Sequence, residues 1–166
     1  GVLAKRGLST ALLDRYGVRA YDESAATQFD PEKLFSAGIS NVWRRPVFSG
    51  HPILFPFSLG DSVVFIQGRQ AADDPLRSKY LGSRGGIPSL WNHGALRQKP
   101  ERVYITEGVI DALSLEQPGL GPALGIVGAD GFKLDWVDEF RGVKEVLIAT
   151  DHDPAGEKAY LNLCNI

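Results

Sequence analysis

VYITEGVID (residues 103–111) and VLIATDHD (residues 146–153) decide the fold of this chain of 166 residues. Each is a short apolar run, rich in β-branched residues, that ends in acidic side chains. Such runs are typical of strands in a parallel sheet with both faces covered. Because parallel strands end at the same edge of their sheet, where open α/β sheets bind ligands, the acids should meet there. The four acids are Glu107, Asp111, Asp151 and Asp153.

Carboxylates gathered in this way repel one another unless a cation lies between them. The chain has one cysteine and three dispersed histidines, which does not suit a transition-metal site with soft ligands. Oxygen ligands and a hard cation fit better, so the sequence predicts a site for one or two magnesium ions. An Asp-x-Asp pair alone is weak evidence, because acids after a strand often cap the next helix.

The composition is that of a soluble globular protein, with 43% hydrophobic and 23% charged residues. No apolar stretch approaches the ~20 residues of a membrane span, and no secretory signal opens the chain. We therefore expect a cytoplasmic protein with no membrane partner. The single Cys164 excludes an internal disulfide. Because the chain begins at Gly1 and has no methionine, we also expect it to be a piece of a longer protein.

The net charge of −2 hides a strong asymmetry. Residues 1–100 carry 13 Lys and Arg against 8 Asp and Glu, whereas residues 101–166 carry 5 against 12. This division predicts a basic N-terminal lobe (residues 1–100) that faces phosphates and an acidic C-terminal lobe (residues 101–166) that holds metal.

The two lobes also differ in their element pattern. In the first, Ser9 and Asp30 are placed as helix caps. Strands are predicted in VFSG (47–50), ILFPF (53–57) and SVVFIQG (62–68), with a hairpin turn at Gly60-Asp61, and loops with a short helix fill residues 69–99. In the second, strands at 103–106, 123–127 and 145–150 alternate with helices at 110–116, 134–140 and 155–163. The predicted fold class is therefore α/β, with a parallel sheet preceded by a smaller mixed lobe.

Several motifs together resemble a known family. The acidic lobe has TEG-x-x-D, a GxxG-like turn at Gly125–Gly128 and DHDPAGEKA, which resemble the Rossmann-like Toprim domain. The basic lobe has FPF (55–57), Gly68-Arg69, LRSKYLGS (76–83) and LWNHGAL (90–96), which resemble the N-terminal lobe of the RNA polymerase domain of DnaG-type bacterial, phage or mobile-element primases. By this resemblance the acidic lobe is a C-terminally truncated Toprim lobe.

The resemblance implies an activity and a set of roles. The activity is magnesium- or manganese-dependent synthesis of short RNA primers from nucleoside triphosphates on single-stranded DNA. The resemblance implies that Glu107 acts in proton transfer or in positioning the metal. It also implies that Glu107, Asp151 and Asp153 are ligands of two metal ions, with Asp111 as a supporting acid. A replicative or fused helicase is a further implied partner.

The basic lobe supplies candidates for nucleotide or template binding. For the basic side chains the alternative is a solvated loop, and for the aromatic one it is packing in the core. They are Arg69, Lys79, Tyr80 and Arg84.

Other functions remain open at this stage. A Toprim nuclease would use the same acids to cut a phosphodiester, although the primase-like lobe disfavours it. A non-catalytic DNA-binding scaffold would have no need of uncompensated acids. An aspartate-nucleophile phosphatase is disfavoured because Ala155 stands where its motif needs Thr or Val.

Overall fold

The protein is described by a computed structural model that covers residues 1–128 and 131–165. It contains a four-stranded antiparallel sheet in the order β1-β2-β3-β4 and a three-stranded parallel sheet in the order β6-β5-β7. The strands are β1 (Arg19–Ala20), β2 (Ile53–Leu59), β3 (Ser62–Arg69), β4 (Tyr80–Gly82), β5 (Arg102–Thr106), β6 (Ala123–Gly125) and β7 (Glu145–Ala149). The predicted α/β class, with a parallel sheet preceded by a mixed lobe, is confirmed.

Helices connect and cover these sheets. Those of the described residues are α1 (Val2–Lys5), α2 (Thr10–Arg15), α3 (Glu23–Ala26), α4 (Pro31–Ser36), α5 (Val109–Glu116), α6 (Pro154–Cys164) and two 3₁₀ helices (His93–Gln98 and Leu134–Phe140). The predicted caps are confirmed: Ser9 Oγ accepts the Leu12 N–H, and Asp30 accepts the Glu32 N–H. Within the described residues, no helix combines the length and the apolar character needed to cross a bilayer.

Three expectations about strands were wrong. VFSG is not a strand: Phe48 is fully buried, and its carbonyl accepts the His51 N–H in a turn. Residues 80–82 were predicted as loop but form β4, which pairs with β3. A strand of three residues is too short to show a hydrophobic period in the sequence. β7 is an edge strand whose Val146 is 41% exposed, so the coverage of both faces does not extend to it.

The core joins the two sheets rather than separating them. One apolar cluster contains Phe55, Phe57 and Phe65 from the antiparallel sheet together with α5 and Ala123 of the parallel sheet. A second cluster packs Leu90 and Leu96 against the other face of the parallel sheet. The predicted boundary between the lobes, at residue 100, falls between the two sheets in sequence. Because the first apolar cluster contains residues from both sides of it, the division into two lobes stays a prediction.

Trp91 is the residue that links the lobes most directly. Its side chain is 1% exposed, and its ring centroid lies 4.8 Å from that of Tyr16. Its backbone exchanges hydrogen bonds with Gly125 at the end of β6, at 2.9 and 3.3 Å. Trp91, which belongs to the basic half, therefore packs its side chain against the residue that ends α2, while its backbone extends the parallel sheet.

Trp91→Ala should lower the free energy of unfolding by about 3–5 kcal/mol, because it removes a large buried side chain and leaves a cavity. The matched control is Trp43→Ala, at a side chain that is 76% exposed, and it should change the stability by about 0.5 kcal/mol or less. Urea denaturation followed by circular dichroism measures both values. Equal effects of the two substitutions would contradict the linking role of Trp91.

Candidate active site

The carboxyl edge of the parallel sheet carries the first part of the site. In the parallel register Thr106 of β5 lies opposite Ala149 of β7, so the two chains leave the sheet side by side. The Asp151 N–H donates to Glu107 Oε1 at 2.7 Å, which ties the two exits together. The Thr106 hydroxyl donates to the Gly108 carbonyl at 2.9 Å and holds the turn after β5.

A cleft of about 240 Å³ lies between this edge and the antiparallel sheet. The acidic lobe and the basic lobe both contribute to it, together with α1 and the residue that follows it. Its lining includes Arg6, Gln67, Arg69, Lys79, Tyr80, Glu107, Asp111 and Asp151. The structure therefore brings together six of the eight residues that the sequence selected; Asp153 and Arg84 lie elsewhere.

The pKa of Asp111 shows the balance of charges in this cleft, which we call the acidic cleft. Burial raises its pKa above the usual value, and the negative charge of Asp151 raises it further. Arg6, at 3.6 Å from the Asp111 carboxylate, and Lys79 lower the pKa but do not cancel the rise. The cleft is thus a place where negative charge is unfavourable and where an added cation would be stabilised.

Asp153 does not line the acidic cleft. Its Oδ1 accepts the Gly156 N–H at 2.8 Å and caps α6. Its side chain faces a neighbouring depression with His152, Glu157 and Tyr160. Helix capping, the alternative role of an Asp-x-Asp pair, therefore accounts for one of its carboxylate oxygens.

The donors present can be tested against a divalent cation. Among residues 1–128 and 131–165, no three His, Cys, Asp or Glu side chains converge closely enough to hold a metal ion. The predicted ligands Glu107, Asp151 and Asp153 are therefore not gathered in one cluster. Glu107, Asp111 and Asp151 do share the cleft, and Mg²⁺ usually binds through one or two carboxylates and several waters. The chemistry of these donors fits such an ion.

Arg69 is held beneath the surface of the cleft. It is 4% exposed, its Nη1 donates to the Gln70 carbonyl at 2.7 Å, and its guanidinium lies 5.8 Å from the centre of the Tyr80 ring. Its Nε is buried without a hydrogen-bond partner among the described residues. Arg69 thus supports Tyr80, whereas the exposed Lys79 is free to reach a ligand. Burial raises the pKa of Tyr80, so its hydroxyl stays protonated.

Arg84 lies outside the acidic cleft. Its guanidinium stacks 4.6 Å from the Phe35 ring, and a Cβ on Gly38 would overlap its backbone. Two polar side chains of the cleft, those of Arg6 and Gln67, were not selected from the sequence. Arg6 is remote from every motif, and Gln67 lies in an ordinary strand pattern, so only the fold shows that they belong to the site.

Residues 102–165 match the Toprim domain family. This chain is similar to Toprim-containing proteins over that stretch. It is 36% identical over 95 residues to the Gene 57 protein of Mycobacterium phage D29, a match that covers 57% of this chain and 60% of the phage protein. It is also 25% identical over 178 residues to the DNA primase of Pasteurella multocida (strain Pm70), covering 95% of this chain and 30% of that primase.

Solved structures show the same architecture. The zinc-binding and RNA polymerase domains of the Aquifex aeolicus primase match 97% of this chain and 44% of that chain, with a TM-score of 0.75 and 17% identity. The RNA polymerase domain of Mycobacterium tuberculosis primase DnaG, in complex with double-stranded DNA, matches 97% of this chain and 59% of that chain, with a TM-score of 0.74 and 21% identity. The predicted resemblance to the Toprim-containing core of DnaG-type primases is confirmed.

Gly156 is a point of close contact between α6 and the acidic edge of the parallel sheet. A Cβ there would lie 1.9 Å from the Asp151 carbonyl oxygen and 2.7 Å from Glu107 Oε1. Gly156→Ala should therefore displace the Asp151 loop and lower the free energy of unfolding by about 1–3 kcal/mol, as overpacking does. Gly94→Ala is the control, because nothing lies within 4 Å of a Cβ at that position. Thermal melts that show equal stability for the two variants would refute this close contact.

The raised pKa of Asp111 predicts a pH-dependent stability. Because the folded state holds this proton more strongly than the unfolded chain, the stabilisation is present at low pH and is lost as pH rises through the folded pKa. Asp111→Asn should thus raise Tm modestly at pH 7, and the gain should vanish below the unfolded pKa of about 3.9. Differential scanning calorimetry between pH 3 and 7 measures it. A variant that is less stable at pH 7 would contradict the assigned charge balance.

Proposed function

We propose that this chain is the catalytic core of a DNA primase. Such an enzyme joins nucleoside triphosphates into short RNA primers on a single-stranded DNA template. The supporting observation is the acidic cleft, in which three Toprim carboxylates face Lys79 and Tyr80 from the antiparallel lobe. The chain spans 60% and 30% of the two curated relatives described above, so the activity is proposed for the longer protein that contains it.

The chemistry assigns a role to each side of the cleft. When bound, one or two Mg²⁺ or Mn²⁺ ions would supply activation of the attacking oxygen and stabilisation of the leaving pyrophosphate. Glu107, Asp111 and Asp151 would hold these ions. Lys79 would position the triphosphate as an exposed point charge, and the protonated Tyr80 would donate a hydrogen bond to it.

The template would be held mainly through its phosphates. Such contacts give salt-sensitive affinity without sequence readout, which suits a protein that must start at many sites. The M. tuberculosis structure named above contains double-stranded DNA, and we extend nucleic-acid binding to this chain as part of the proposal. A replicative or fused helicase as partner and a cytoplasmic location belong to the same proposal.

The direct test replaces Glu107 in the full-length protein that contains this chain. Glu107→Gln should reduce primer synthesis by at least about 100-fold, on the scale of losing a catalytic acid or base. Folding should be preserved, because the amide oxygen of Gln can still accept the Asp151 N–H. Incorporation of labelled nucleotide on single-stranded DNA measures the activity.

The control is Asp61→Asn, at an exposed acid in the β2–β3 turn. It should retain full activity. Full activity of Glu107→Gln would exclude the proposed role. If the wild type nicked DNA and incorporated no nucleotide, the nuclease alternative would replace the primase.

A further inference from the structure

A second cleft, of about 510 Å³, lies at the opposite end of β3 from the acidic cleft. Val63 lines the second cleft and Arg69 lines the acidic one, and the six residue steps from Val63 to Arg69 span roughly 20 Å of strand. The second cleft is enclosed by α2, the β2–β3 turn and the 3₁₀ helix His93–Gln98. No described residue lines both clefts. Its volume falls in the range of about 300–1,000 Å³ that is usual for small-molecule sites.

The charge of the second cleft is positive. Its charged lining residues are Arg15 and Arg97, and none of the described residues that line it is Asp or Glu. Both arginines are exposed, and neither forms an ion pair within residues 1–128 and 131–165. Two guanidinium groups without carboxylate partners at one concave surface favour an anionic ligand, and phosphate in particular.

Contacts with neighbouring groups place both arginines. The Arg15 guanidinium lies 5.4 Å from the centre of the Tyr16 ring. Arg97 lies against the hairpin turn, where a Cβ on Gly60 would be 3.4 Å from its Nη2. Neither contact uses the guanidinium donors fully, so these donors remain available to a ligand.

Apart from the two arginines, the lining of the second cleft mixes apolar side chains with the polar Ser58, Asn92 and His93. Tyr16, Pro56 and Trp91 line it, as does Val63, which is 55% exposed. His93 also lines it, and its Nδ1 is buried without a partner among the described residues. An apolar surface beside unpaired polar groups is the usual composition of a ligand site.

We propose that the second cleft binds a small phosphorylated ligand with a flat ring, such as a free nucleotide. Arg15 and Arg97 bind its phosphate groups, and the ring packs on the apolar surface formed by Tyr16, Pro56 and Val63. This site is separate from the acidic cleft and does not depend on the proposed primase activity.

Isothermal titration with ATP in the presence of EDTA tests this site, because the chelator removes the divalent ions that the acidic cleft is proposed to need. One ATP should bind per chain. Arg15→Ala and Arg97→Ala should each weaken the binding at least about tenfold, the usual effect of losing a charge-assisted hydrogen bond. Arg45→Ala, at an exposed arginine outside the second cleft, should leave it unchanged. Pyrophosphate should bind more weakly than ATP, and adenosine more weakly still.

A second variant tests the charge of the cleft with both arginines in place. Val63→Glu adds a carboxylate to its lining and should also weaken ATP binding at least about tenfold; circular dichroism confirms that each variant is folded. Three outcomes would overturn the proposal: ATP binding that survives both arginine substitutions, ATP binding that is lost in Lys79→Ala, and binding of a single-stranded oligonucleotide without any binding of ATP.

Discussion

The hydrogen bond from the Asp151 N–H to Glu107 Oε1, at 2.7 Å, is the contact on which the acidic cleft depends. It joins the ends of β5 and β7, and the parallel register of these strands is what brings the two residues together. Gly156 is required beside it, since a side chain there would overlap both partners. The acids are therefore placed by backbone geometry and not by their own chemistry, which disfavours their proximity.

Packing of the two sheets then completes the site. α5 begins after the turn that follows Glu107, and its buried face packs in the same cluster as Phe55 and Phe57 of the antiparallel sheet. This places the Lys79–Tyr80 end of that sheet opposite the acidic edge. The cleft thus has an acidic wall and a basic wall, each from one charge half of the chain, and the cations lower the pKa of Asp111 without restoring its usual value.

The sequence predicted the parts of this arrangement that are local. Apolar runs that end in acids predicted the parallel sheet and its edge, and the caps at Ser9 and Asp30 followed from single residues. The contributions that it missed depend on contacts between distant segments. Arg6 comes from the first helix, β4 exists only as a partner of β3, and Asp153 caps α6 with an oxygen that the prediction gave to a metal. Arg84 was selected for its charge, but its place is set by stacking on Phe35.

The most direct measurement is anomalous diffraction from a crystal of this chain soaked in MnCl₂. We expect an anomalous peak within coordination distance of at least two of Glu107, Asp111 and Asp151, in the cleft that faces Lys79. An empty cleft, or a peak bound only by Asp153 and its neighbours in the adjoining depression, would contradict it.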